Sequence, residues 1–131
     1  MAGVCTKTGQ VQILNLVLNI ANNKLKLFSN NVTPTVDTVL GDLNVVSGGG
    51  YADVTLVAAN WVISPGSPSS ALYNAFINFT FTGVPAVATV YGYFIVDNGG
   101  NLLFVERFSQ VVSPVNGTVI PVKPKATCAN V

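Results

Sequence analysis

The sequence predicts a mainly β protein, an antiparallel β-sandwich or barrel with a short N-terminal helix. Two observations carry that reading. From Tyr73 to Thr82 the chain alternates: Tyr73, Ala75, Ile77, Phe79 and Phe81 share one face, and Asn74, Asn78, Thr80 and Thr82 share the other with Phe76. That is the period of a strand with one face inward and the other wet. Asp97-Asn98-Gly99-Gly100-Asn101 then separates two apolar runs, and residues that tolerate positive φ between such runs mark a hairpin. Short strands divided by turns of this kind are characteristic of sandwiches and barrels.

Each element follows in order. Residues 9–22 are ambiguous: Val11, Leu14, Leu18 and Ala21, with Val17 nearby, have helical spacing, while Leu14, Leu16, Leu18 and Ile20 also fit a strand face. The reading favours a short helix. Lys24 to Phe28 alternates and reads as a strand. Ser29 to Thr38, rich in Asn, Thr and Pro, reads as an ordered loop because Pro34 restricts itself and Thr33. Gly48-Gly49-Gly50 reads as a flexible connection. Val54 to Ile63 is a strand candidate carrying the only tryptophan, Trp61, and Ser64 to Ser70, with Pro65, Gly66 and Pro68, is a loop. Val87 to Val96 is apolar on both faces and belongs at the centre of a sheet. Leu102 to Phe108 returns as the second hairpin arm, and Thr118 to Val122 is a last strand after the turn Asn116-Gly117.

No repeat or linker is visible, and 131 residues suit one domain, so residues 1–131 read as a single β-rich body. Residues 1–10 and 121–131 read as extended terminal arms. Pro121 and Pro124 oppose a helix, and neither segment carries enough large apolar side chains to fold alone. Such ends either order on a neighbouring subunit or fray.

Composition narrows the function. Half of the residues are hydrophobic and only 8% are charged, with a net charge of +1, against about 25% charged in ordinary soluble domains. The polar surface is therefore Asn, Thr, Ser and Gly, which suits a protein docked against others. Histidine, the commonest general base and metal ligand, is absent. No phosphate loop, dinucleotide fingerprint or nucleophile elbow is present. The acids Asp37, Asp42, Asp53, Asp97 and Glu106 have no diagnostic spacing. The reading is of a protein that is not an enzyme and needs no cofactor or metal. The bases Lys7, Lys24, Lys26, Arg107, Lys123 and Lys125 make no dense patch, so nucleic acid is not the expected partner. Nor is a membrane, because the most apolar early stretch, Val11 to Ala21, is short and interrupted by Asn15 and Asn19. No secretion signal is read at the N-terminus, so the product is expected in the cytoplasm, with Cys5 and Cys128 as reduced thiols. Lys123-Pro124-Lys125 is either a solvated tail or an arm that docks on an acidic neighbour.

Several segments together resemble a known family: Leu25-Lys26-Leu27-Phe28-Ser29-Asn30-Asn31-Val32-Thr33-Pro34-Thr35, Gly41-Asp42-Leu43, Gly50-Tyr51-Ala52, Tyr91-Gly92-Tyr93-Phe94-Ile95-Val96-Asp97, and Leu102-Leu103-Phe104-Val105-Glu106-Arg107-Phe108. In this order, over roughly residues 10–122, they resemble small virion proteins of tailed bacteriophages, of the capsid decoration or cement kind. The resemblance implies a β-rich homo-oligomer, often a trimer, made in the host cytoplasm and bound outside the capsid on the major capsid protein. It carries no catalytic residue. The candidate interface residues are Asn30, Asn31 and Pro34 in the loop and Lys123 and Lys125 in the tail. Two other roles fit the same composition: a phage tail, neck or fibre component, and a carbohydrate-binding or adhesin module using Trp61, Tyr51, Tyr73, Tyr91 and Tyr93. For Tyr91 and Tyr93, in the most apolar strand, core packing is the favoured reading.

Overall fold

The computed structural model describes residues 3–128. Along the chain lie α1 (Lys7–Leu18), β1 (Lys24–Phe28), β2 (Val54–Thr55), β3 (Trp61–Ser64), β4 (Ser69–Tyr73), β5 (Ile77–Thr80), β6 (Val90–Val96), β7 (Leu102–Val112), β8 (Val119–Val122) and β9 (Lys125–Cys128). The protein is mainly β, with antiparallel sheets and one short N-terminal helix. Among the described residues no sheet closes into a barrel. The chain divides into two compact units: residues 1–21, 57–76 and 123–131 form the first, and residues 22–56 and 77–122 the second.

In the first unit, α1 packs against the three-stranded sheet β3-β4-β9. Thr6 caps the helix, its hydroxyl accepting the Gly9 amide at 3.1 Å, which satisfies one of the orphan donors of the first turn. Gln10, Leu14 and Leu18 are buried, and this four-residue period settles residues 9–22 as helix. The sheet face beneath α1 carries Trp61, Ser69, Ala71, Tyr73 and Ala126, all buried. The Trp61 and Tyr73 rings, opposite one another in register, meet edge to face at 5.2 Å. The Gln10 amide joins helix to sheet, donating to the Cys5 carbonyl (3.2 Å) and accepting from the Ser69 amide (3.4 Å).

In the second unit a four-stranded antiparallel sheet runs β2-β1-β6-β7, and β5 pairs with β8 in a separate ribbon. β6 is central, and all its residues but Tyr91 are buried, as its two apolar faces predict. Phe28, Leu43, Phe94 and Val96 form a core cluster, with Val32, Tyr91, Leu102 and Val105 against it. Gly92 is required by close approach: a Cβ there would meet the Glu106 carbonyl and would lie 2.6 Å from the Phe28 ring. The hairpin turn is held by Asp97, whose carboxylate accepts the amides of Gly99 and Asn101, each at 2.9 Å.

Several expectations are corrected. The strand predicted over 54–63 is two short strands separated by a 3₁₀ turn at Ala58–Asn60, and the one predicted over 73–82 stops at Tyr73 and resumes at Ile77. Both breaks lie where the chain passes between units, at Leu56/Val57 and Phe76/Ile77. At the second crossing two-residue alternation continues because each unit buries its own part of the pattern, Tyr73 in the first and Phe79 and Phe81 in the second. Ser69 and Ser70, expected in a loop, begin β4. Gly48, Gly49 and Gly50 are not a flexible joint. All three have positive φ, and Thr82 and Ala86 donate to the carbonyls of Gly49 and Ser47. The expected arms are folded where described: Lys7 to Gln10 open α1, residues 119–122 pair with β5, and 125–128 pair with β4. Pro121 and Pro124 do favour extended backbone, but that backbone is strand, and Pro124 is fully buried. Residues 1, 2 and 129–131 of those arms lie outside the described residues.

Candidate interaction site: a rigid loop with an apolar tip

Asn30, Asn31 and Pro34 lie in the excursion between β1 and Val46. Its two ends meet: the Ser29 amide donates to the Asn44 carbonyl at 2.8 Å. A compact excursion of this length with touching ends is an Ω-loop. Asn30 is its clamp. The side-chain nitrogen donates to the Asp42 carbonyl (2.7 Å), and the side-chain oxygen accepts the Asn44 amide (2.8 Å). Asn31 is tied from below. Arg107 Nη1 donates to Asn31 Oδ1 (2.5 Å) and to the Val32 carbonyl (3.1 Å), while the guanidinium lies 5.0 Å above the Tyr91 ring. Glu106 points to the opposite sheet face, where it accepts the Tyr93 hydroxyl at 2.6 Å.

The tip is equally ordered. Thr35 and Thr38 exchange hydrogen bonds, the Asp37 amide donates to the Thr35 hydroxyl, and Asp42 Oδ2 accepts the Val39 amide. These bonds hold Val36 out in solvent at 95% exposure, with Val39 and Leu40 also exposed. A shallow, open depression beside the tip is lined by Asn31, Thr35, Asp37, Thr38 and Asp42, among others. Its polar lining is hydroxyl, amide and carboxylate, and the loop from Ser29 to Val46 contains no basic residue. Sequence alone signalled an ordered loop but gave no sign of the apolar tip, because the exposure of Val36 depends on the turn around it.

Lys123 and Lys125 belong to the other unit. Lys123 stacks over the Phe76 ring at 5.6 Å. Lys125 lies on the sheet face turned away from α1, directly across from Leu72, which in turn lies across from Val62. Val62 is 56% and Leu72 41% exposed. On the opposite side of this unit, Ile13 and Leu16 on α1 and Ile20 just past its end are exposed, Leu16 at 71%.

A second polar network closes the edge of β1 beyond its short pairing with β2. The Tyr51 hydroxyl accepts the Leu27 amide (3.0 Å) and donates to Asp53 (2.9 Å), which faces Lys26 at 3.4 Å. Burial, above all, pushes the Tyr51 hydroxyl pKa well up, and Asp53 adds to the rise against the Leu27 hydrogen bond. Asp97 is shifted down by the Asn101 side chain and the turn amides that bond it.

The aromatic residues considered for sugar stacking are occupied. Trp61, Tyr73 and Tyr93 are buried, Tyr51 stacks on Phe79 at 5.8 Å, and Tyr91 lies under Arg107. Among the described residues no three His, Cys, Asp or Glu side chains form a group that could hold a metal ion, and no helix is long and apolar enough to cross a membrane. No family model, curated protein or solved structure matches the chain.

Proposed function

We propose that this chain is a capsid decoration protein, a virion component that binds the outer surface of a phage capsid and stabilises contacts between capsomers as a homo-oligomer. The observation that carries the reading is that each unit of this sparsely charged chain exposes apolar side chains of its own. The first unit presents Ile13, Leu16 and Ile20 on one side and Val62 and Leu72 on the other; the second presents the tip of the Ω-loop. A protein that bridges neighbours needs more than one contact surface, and low charge reduces the desolvation cost of burying them. A loop already held by side-chain hydrogen bonds binds without a large ordering cost. The sequence resemblance points the same way.

The test is addition of purified protein to capsids that lack it. Saturable binding to the capsid surface, with a raised temperature of capsid disruption, is expected. Association with tails or fibres and not with capsids would replace this reading with a tail or neck role.

A further inference from the structure

The first unit is assembled from three stretches far apart in sequence, 1–21, 57–76 and 123–131. The two cysteines of the chain, Cys5 and Cys128, fall in the first and the last of them. Register fixes the side of the sheet on which Cys128 stands. It pairs with Ser69 and follows Ala126 by two residues, and both of those are buried on the face beneath α1. Side chains directly across a ladder, or two apart along a strand, share a face. Cys128 therefore stands on the α1 side, at the end of β9. The same Ser69 leads to Cys5. Its amide donates to Gln10 Oε1 (3.4 Å), and Gln10 Nε2 donates to the Cys5 carbonyl (3.2 Å). One strand residue thus has Cys128 as its ladder partner and Cys5 a single side-chain amide away.

We infer that Cys5 and Cys128 are a redox pair, and that a small disulfide converts them to a bond joining the N-terminal end of α1 to β9. Both thiols are free and half-buried. The bond needs Cα atoms about 4.4–6.8 Å apart. The segment ahead of Thr6 supplies the movement, because residues 3–6 belong to neither helix nor strand. The Cys5 thiol is held there only by a weak contact with the Thr6 carbonyl at 3.9 Å. In the exchange, one protein thiolate attacks the small disulfide and releases one small thiol. The second protein thiolate attacks the mixed disulfide, closes the Cys5–Cys128 bond and releases the other. Two protein thiols are oxidised, one small disulfide is reduced to two thiols, and the two protons leave with those thiols. The closed loop spans almost the whole chain, so the bond restricts the unfolded state strongly. It also ties together the first and last stretches of the first unit. None of this depends on capsid binding.

Equilibration of the full chain with oxidised and reduced glutathione tests this, once in buffer and once in denaturant, with free thiols then alkylated. The expected product in buffer takes up no alkylating agent and yields tryptic peptides 1–7 and 126–131 joined within one chain. At equal glutathione concentrations the ratio of bridged to reduced protein should be about 30- to 1,000-fold higher in buffer than in denaturant, the factor by which a disulfide of ordinary strength favours the folded state. The bridged protein should also melt at a higher temperature than the reduced one, and Cys5→Ser and Cys128→Ser should each abolish that difference. The comparison of buffer with denaturant uses wild type, so it stands whether or not either variant folds. Equal ratios in buffer and denaturant, bridges between copies in place of within one, or a bridged protein that melts no higher than the reduced one would each overturn the inference.

Discussion

Replacing Asn30 with alanine should loosen the Ω-loop without touching its apolar tip. The substitution removes two hydrogen bonds, of 2.7 and 2.8 Å, to the Asp42 carbonyl and from the Asn44 amide. Each contributes about 0.5–1.5 kcal/mol net, so the loop loses about 1–2 kcal/mol after partial rehydration of the freed groups. That corresponds to a 5- to 30-fold rise in the open population by the usual relation of free energy to populations, roughly. Two assays read it. Hydrogen exchange at the Asn44 amide should accelerate by about that factor, and the melting temperature should fall by about 4–8 °C for a chain of this size. Asn30→Asp should be worse than alanine at neutral pH, because a carboxylate faces the Asp42 carbonyl. It should recover as the pH falls below about 4, where a protonated carboxyl can donate. Unchanged Asn44 exchange and a melting temperature within about 1 °C of wild type would refute the clamp.

Further outcomes follow from the rest of the fold. Tyr51→Phe leaves the Leu27 amide without its acceptor and should cost about 1–3 kcal/mol in thermal or denaturant melts. Because the folded pKa of Tyr51 lies above its ordinary value of 10.0, its contribution is fully present below pH 10 and is lost as pH rises beyond it; alkaline destabilisation should therefore be smaller in the phenylalanine variant. Gly92→Ala forces a methyl against the Glu106 carbonyl and the Phe28 ring and should cost about 3 kcal/mol or more, read as insolubility or a large fall in the denaturation midpoint. Deleting residues 123–131 removes β9 and should shift the emission of Trp61, the only tryptophan, to the red; blue emission retained at wild-type stability would restore the view of the C-terminus as a free arm.

What the sequence revealed depended on whether neighbours along the chain decide the structure. β1 and the hairpin of β6 and β7 were legible because alternation and the turn 97–101 are local signals; β7 only ran longer than expected, to Val112. The interruptions inside 54–63 and 73–82 were not, because the first is an apolar run and the second an alternating one, and neither marks where the chain crosses between units. The C-terminal strand β9 was hidden by the prolines ahead of it, Pro121 and Pro124, which suit an edge position as well as a free tail. Of the candidate interface residues, Asn30 and Asn31 hold the loop through partners as distant in sequence as Arg107, which no local pattern signals. Val36, Val39 and Leu40 carry no sequence signal of exposure, and only the fold places them in water.

Electron microscopy of intact particles carrying the protein tests the central claim most directly. Density for the chain on the outer capsid surface, repeated with the capsid lattice and touching neighbouring capsomers, is the expected result. Density confined to the tail or neck, or its absence from the particle, would contradict the account.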